Sequence, residues 1–150
     1  MLSSDASAVF DRQMKRPLLR IIIDQVSRRC RKLLRLKEAV GEDSFAGQHD
    51  MGLQVVPVKQ IVGTLGRESD FDNDFRPRQR ESRQRWISIY QAQYDGVGLP
   101  AVELFKVGDS YFVEDGHHRV SVAHANGQMY IDAHVIEVEA VPDLRPACER

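Results

Sequence analysis

The chain has 150 residues, of which 42% are hydrophobic and 29% charged. That is the make-up of a folded domain in water, with room for one core and an appended element, and it excludes a chain disordered throughout. The net charge of −1 is unevenly spread: the first forty residues hold ten Lys/Arg against four Asp/Glu, so a segment of +6 precedes a remainder of −7.

From Ser7 to Val40 the spacing predicts helix, with Leu19, Ile22, Ile23, Val26, Cys30, Leu33 and Leu34 in one apolar stripe. Pro17 suits a first turn, so the main helix is expected to start near Arg16, with Gly41 as its stop. Its other face carries Arg20, Arg28, Arg29, Arg31, Lys32 and Arg35. Docking of the stripe on the chain's own domain or on a second copy, contact with nucleic acid, and a membrane surface are the three fates open to it. The apolar runs Leu18-Leu19 and Ile21-Ile22-Ile23 are too short to span a bilayer, and Met1 to Phe10 lacks the pattern of a secretory signal.

Residues 41–52, with three glycines and no periodicity, predict a linker. Leu53 to Val62, interrupted by Pro57, suits an edge strand, after which Gly63 and Gly66 loosen the chain. A loop from Arg67 to Arg76 alternates carboxylates, and the stretch Arg78 to Tyr94 has helical spacing, with Trp86 and Tyr90 as core residues. Ala101–Val107 and Tyr111–Glu114 predict a hairpin through Gly108-Asp109-Ser110. A helix from about His117 to Asn126 and a strand from Tyr130 to Val138 follow, and Ala140–Arg150, with two prolines, is expected to hang loose. Cys30 and Cys148 have no metal-spaced partner and form no dense framework, which points to a reducing cytoplasm.

Chemistry concentrates at Glu114-Asp115-Gly116-His117-His118-Arg119. A strand that turns at a glycine and opens a helix aims unpaired amides outward, as an anion site does. Arg119 can fork onto phosphate, His117 or His118 can donate a hydrogen bond or move a proton, and Asp115 can orient a histidine or hold a cation. The competing possibility is a plain turn with a capped helix and a surface arginine.

In the preceding loop Glu68, Asp70, Asp72 and Asp74 are candidates to hold Mg²⁺ or accept a hydroxyl proton. Asp70, Asp72, Asp74 and Glu81 mimic calcium-loop spacing, but Phe75 stands where that loop requires glycine, so an EF-hand is rejected. Arg76, Arg78, Arg80, Arg83 and Arg85 either grip a phosphate chain or balance the acidic loop. His124 and His134 are expected to be structural.

Val56-Pro57-Val58-Lys59-Gln60-Ile61, a helix, the run Tyr111 to Arg119 and a closing Ile131-Asp132-Ala133-His134-Val135 together resemble the ParB/sulfiredoxin N-terminal domain, of the ParB-like nuclease superfamily, over roughly residues 53–139. The resemblance implies a small α/β fold whose turn binds nucleotide phosphates, as in CTP-using partition proteins, sulfiredoxin and a free-serine kinase. Gly116, His117, His118 and Arg119 would inherit that role. His117 stands where sulfiredoxins carry their catalytic cysteine, so sulfinate repair is not expected. No helix-turn-helix of the partition type follows the resemblance, and the basic N-terminal helix offers a different, sequence-blind contact to nucleic acid.

The sequence therefore predicts an α/β (α+β) fold, a small mixed sheet with packed helices. An amphipathic helix and linker (1–52) precede the domain (53–139), and a tail (140–150) follows. It is expected to bind ATP or CTP with Mg²⁺ through Asp115, Gly116, His117, His118 and Arg119, with Asp70 and Asp72 on the metal. His117, Glu68 and Asp70 are the candidates for phosphoryl transfer or hydrolysis. The alternative is a non-catalytic DNA-associated or regulatory module. Homodimerisation through the N-terminal helix, a cytoplasmic location and no membrane partner complete the expectations.

Overall fold

A computed structural model describes residues 2–15, 18–27, 30–41, 47–146 and 148. The expected helix start at Arg16-Pro17, the basic residues Arg28 and Arg29, and positions 42–46 of the linker lie outside them.

The elements in chain order are α1 (Leu2–Met14), α2 (Leu18–Ser27), β1 (Leu34–Arg35), α3 (Leu36–Val40), β2 (Gln48–Pro57), β3 (Ile61–Thr64), α4 (Arg83–Tyr94), β4 (Val102–Val107), β5 (Ser110–Asp115), α5 (His117–Ala125) and β6 (Tyr130–Val138). The class is mixed α/β. Among the described residues, one six-stranded sheet runs in the order β1-β3-β5-β4-β6-β2. The β4–β5 hairpin and the β6–β2 pair are antiparallel; β1–β3, β3–β5 and β4–β6 are parallel. β2 is an edge strand, as its proline predicts, but it begins at Gln48, inside the expected linker.

The single helix over Ser7–Val40 is not what forms. Lys32 bridges to Asp72 and Leu34-Arg35 pair with Gly63-Thr64, so the chain is extended where a helical stripe was expected. The reason is packing. In extended chain, successive side chains point to opposite faces, and Leu33 enters the core on one side of the sheet while Leu34 enters the core on the other. A helix would have put both on one face. The rest of the stripe, on α2, stays in solvent: Leu19 is 70% and Val26 81% exposed.

One sheet face is covered by α5 and the 71–75 loop, around Val56, Phe71, Phe75, Val102, Val113 and Val120. The other is covered by α3 and the chain after β6, around Leu36, Phe105, Val107 and Phe112. A third cluster joins α1 to α4 and α5, with Phe10 edge-on to Trp86 and Trp86 stacked on Tyr90. Trp86 is fully buried, and its indole N–H donates to Ser121 Oγ at 2.9 Å, which confirms it as a core residue.

Gly63 does not loosen the chain. It lies within β3, where a Cβ would fall 2.5 Å from Leu34 O and 2.5 Å from Phe112, so only glycine admits the parallel neighbour there. The segment after β6, read as a loose end, makes specific contacts: the Asp143 amide donates to Ala39 O at 2.8 Å, and Cys148 is disulfide-bonded to Cys30. That bond corrects the picture of two isolated cysteines and removes the ground on which a reducing compartment was inferred. Among the described residues, no helix is long and apolar enough to cross a membrane.

Candidate functional site

The β5–α5 junction forms as the sequence predicts, with Gly116 at the helix N-cap and φ of 101°. A Cβ at this position would lie 2.5 Å from Val102 Cγ1 and would also carry a backbone angle that side chains resist. No side chain caps the helix, so the outward amides of its first turn are left to a ligand or to water.

The two histidines turn inward. His117 is buried, stacks on Phe71, and shares a hydrogen bond of 2.6 Å between its Nε2 and Thr64 Oγ1. That hydroxyl also accepts the amides of Gly66 at 3.2 Å and Arg67 at 3.1 Å. With both lone pairs occupied, its hydrogen has two acceptors in reach, Nε2 at 2.6 Å and Val113 O at 3.5 Å, and the shorter contact favours Nε2 and the neutral, Nδ1-protonated tautomer of His117. His118 is also buried, edge-on to Phe71, and its Nε2 has no hydrogen-bond partner. Burial pushes both rings from the ordinary 6.5 down to about 4, and the Arg67 guanidinium adds to the effect on each.

Arg119 is engaged elsewhere. Its mostly buried guanidinium donates to the carbonyls of Pro100 at 2.5 Å and Ala101 at 3.0 Å, and to Asp115 at 3.1 Å. It pins the chain entering β4 and takes up the carboxylate of Asp115. The cation that the structure sets beside both histidines is Arg67, whose Nε is 2.8 Å from Asp70 Oδ2.

The acidic loop divides. Asp70 lies within electrostatic reach of His117 and His118, at the start of α5. Asp72 and Asp74 act instead on His124, near the helix's other end, where His124 stacks on Phe75. Asp72 is buried, and its Oδ1 accepts the amides of Asp74 and Arg76, both at 2.9 Å, so it organises the loop from within. Glu68 sits 3.4 Å from Arg35 Nε. Asp70 thus acts on the histidines at the start of α5 and Asp72 on His124, and among the described residues no three His, Cys, Asp or Glu side chains converge as a metal site. Phe75, where a calcium loop needs glycine, has φ of 56° and is fully buried. The turn takes the glycine-like conformation with a phenylalanine, held by the Asp72 cap and the ring's burial.

No family model matches the chain, and no curated protein does. Among solved structures, the crystal structure of sulfiredoxin from Arabidopsis thaliana is similar at 14% identity and a TM-score of 0.42, over 55% of this chain and 82% of that one.

Thr64 and Arg67 are the residues that sequence reasoning missed. Thr64 ends an apolar run and has no motif around it, and Arg67 opens a loop whose carboxylates drew the attention. Only the parallel β3–β5 pairing, which sets Thr64 beside Val113, brings them to the turn.

Proposed function

We propose that the chain binds the phosphates of a nucleotide, ATP or CTP, at the β5–α5 turn. The observation that carries this is the uncapped start of α5, closed on one side by Val102 beneath a glycine that admits no side chain, with Arg67 as the adjacent cation. Amides of a first helical turn and a guanidinium are a standard pair of phosphate ligands. Arg119 and Asp115 shape the turn in this proposal, and His117 and His118 support it from beneath as neutral rings.

Magnesium would arrive with the phosphates, since this ion commonly uses one or two carboxylates together with phosphate oxygens. Asp70 and Asp115 are the carboxylates acting on His117 at that end of the helix, and Asp115 is paired with Arg119. His117 Nε2 already accepts the Thr64 hydrogen, so Asp70 is the better candidate to take a hydroxyl proton in any phosphoryl transfer.

The test is thermal denaturation with ATP, CTP and GTP, each with Mg²⁺, on the wild type and on Arg67→Ala. At a hundredfold excess over Kd, the ligand stabilises by about 2.7 kcal/mol, a readily seen rise in Tm. The rise should vanish in Arg67→Ala, whereas Arg119→Ala should lower the Tm of the free protein. Absence of any nucleotide-dependent rise in the wild type removes the proposal.

A further inference from the structure

A cavity of about 530 Å³ opens on another part of the molecule, between α1, α2 and the loop that holds Asp72 and Arg76 to Arg78. Its size is that of a small-ligand site, a range of roughly 300–1,000 Å³. Its walls carry Arg31, Lys32, Arg76 and Arg78, and Asp72 is the one carboxylate among the described residues lining it. Asp72 directs Oδ1 to the amides of Asp74 and Arg76, and Arg31 is ion-paired to Asp24 and, at 3.8 Å, to Asp74.

The cations that remain are Lys32, Arg76 and Arg78, set against the single carboxylate of Asp72 in the same lining. The sequence allowed these arginines to balance the acidic loop, but the acids of that loop are used by other groups: Asp70 by Arg67, Glu68 by Arg35 and Asp74 by Arg31. Among the described residues, no carboxylate stands within ion-pair distance of the three cations. Like charges drawn to one concave wall repel one another, and an anion relieves that repulsion.

The frame that holds them is rigid. Lys32 bridges Asp72, Phe71 bridges Pro77, the Asn73 amide donates to Arg31 O at 3.0 Å, and the Arg78 amide donates to Asp70 O at 2.9 Å. The Cys30–Cys148 disulfide forms part of the wall. Cations on a fixed backbone lose less freedom when they bind than cations on a mobile loop. Met14, Ile21 and Pro77, the last between the two arginines in sequence, add apolar surface to the lining.

We infer that this cavity is a second anion site, distinct from the β5–α5 turn, for a small phosphorylated molecule with an apolar or ring portion. Phosphate would lie on Lys32, Arg76 and Arg78, and the apolar portion against Met14, Ile21 and Pro77. A concave site of this volume suits a compact ligand better than a nucleic-acid backbone, which needs cations strung along a surface.

The experiment is a ¹H–¹⁵N NMR titration of the full, disulfide-bonded chain with inorganic pyrophosphate at constant ionic strength. Saturable shifts are expected at the amides of residues 30–32, 76 and 78, with affinity falling at least tenfold in Arg76→Glu/Arg78→Glu. Lys32→Glu should weaken binding in the same direction, and unchanged dispersion elsewhere shows that each variant is folded. Shifts at residues 117–119 report the other site and are read separately. No response at the cavity amides, an equal response to chloride, or a response that survives both variants overturns the inference. So does a response there to duplex DNA with none to pyrophosphate.

Discussion

Thr64 Oγ1 and His117 Nε2 lie 2.6 Å apart across fifty-three residues of sequence, and this bond ties the end of β3 to the first turn of α5. Thr64→Val keeps the shape but strands the ring nitrogen and deprives the amides of Gly66 and Arg67 of their acceptor. The loss should be about 2 kcal/mol in a urea titration, and Thr64→Ser should restore most of it. ¹⁵N chemical shifts of the wild-type ring should show the proton on Nδ1.

Gly116→Ala meets two obstacles at once, a positive φ and the Val102 side chain. Destabilisation of about 2–4 kcal/mol is expected from strain together with overpacking. Adding Val102→Ala removes the 2.5 Å contact with Cγ1 but leaves the Val102 Cβ at 2.9 Å and the backbone penalty. The double variant should therefore recover less than the clash alone cost, because the lost valine leaves a cavity.

Acid should weaken the fold through the two histidines. Their folded-state pKa values, about 4, lie below the ordinary 6.5, so the unfolded chain binds more protons between these values. Stability is complete above about pH 6.5, falls as the pH drops towards 4, and stops falling from this source below that. Denaturant midpoints at pH 7, 6 and 5 should show the slope, and His118→Phe should flatten it. A profile that is level from pH 7 to 5 in the wild type contradicts the buried neutral rings.

The Cys30–Cys148 bond joins residues 118 apart in sequence and closes a long loop. Cys30→Ser/Cys148→Ser should lower unfolding stability by about 2–5 kcal/mol. The native protein should release no thiol to a thiol reagent until it is reduced. Reduction should lower the Tm of the wild type to that of the double variant.

Much of the fold was legible because its signals are local. The Gly108-Asp109 hairpin, the helix opening at His117 and the strand from Tyr130 to Val138 follow from turn residues and periodicity that need no knowledge of neighbours. The N-terminal third was not legible in this way. Leu33 and Leu34 fit a helical stripe in sequence, and only the Gly63-Thr64 strand beside them decides that they alternate across a sheet. At the candidate site, the glycine turn was visible, but the direction of each side chain was not. Arg119 looks like a phosphate ligand until the carbonyls of Pro100 and Ala101 are placed next to it, and the Thr64–His117 contact has no trace in either local sequence.

Strand β2 has one neighbour in the sheet, β6, and the two are separated by more than seventy residues. A ribosome therefore completes β2 before β6, its one sheet neighbour among the described residues. Until residues 130–138 have left the exit tunnel, the segment carrying the exposed Leu53 and Val55 has no ladder to join. Order at that edge waits for β6, when a long-range closure is made in one step, and a translation product truncated before Tyr130 would present β2 as a bare strand for chaperones or for other nascent chains to capture.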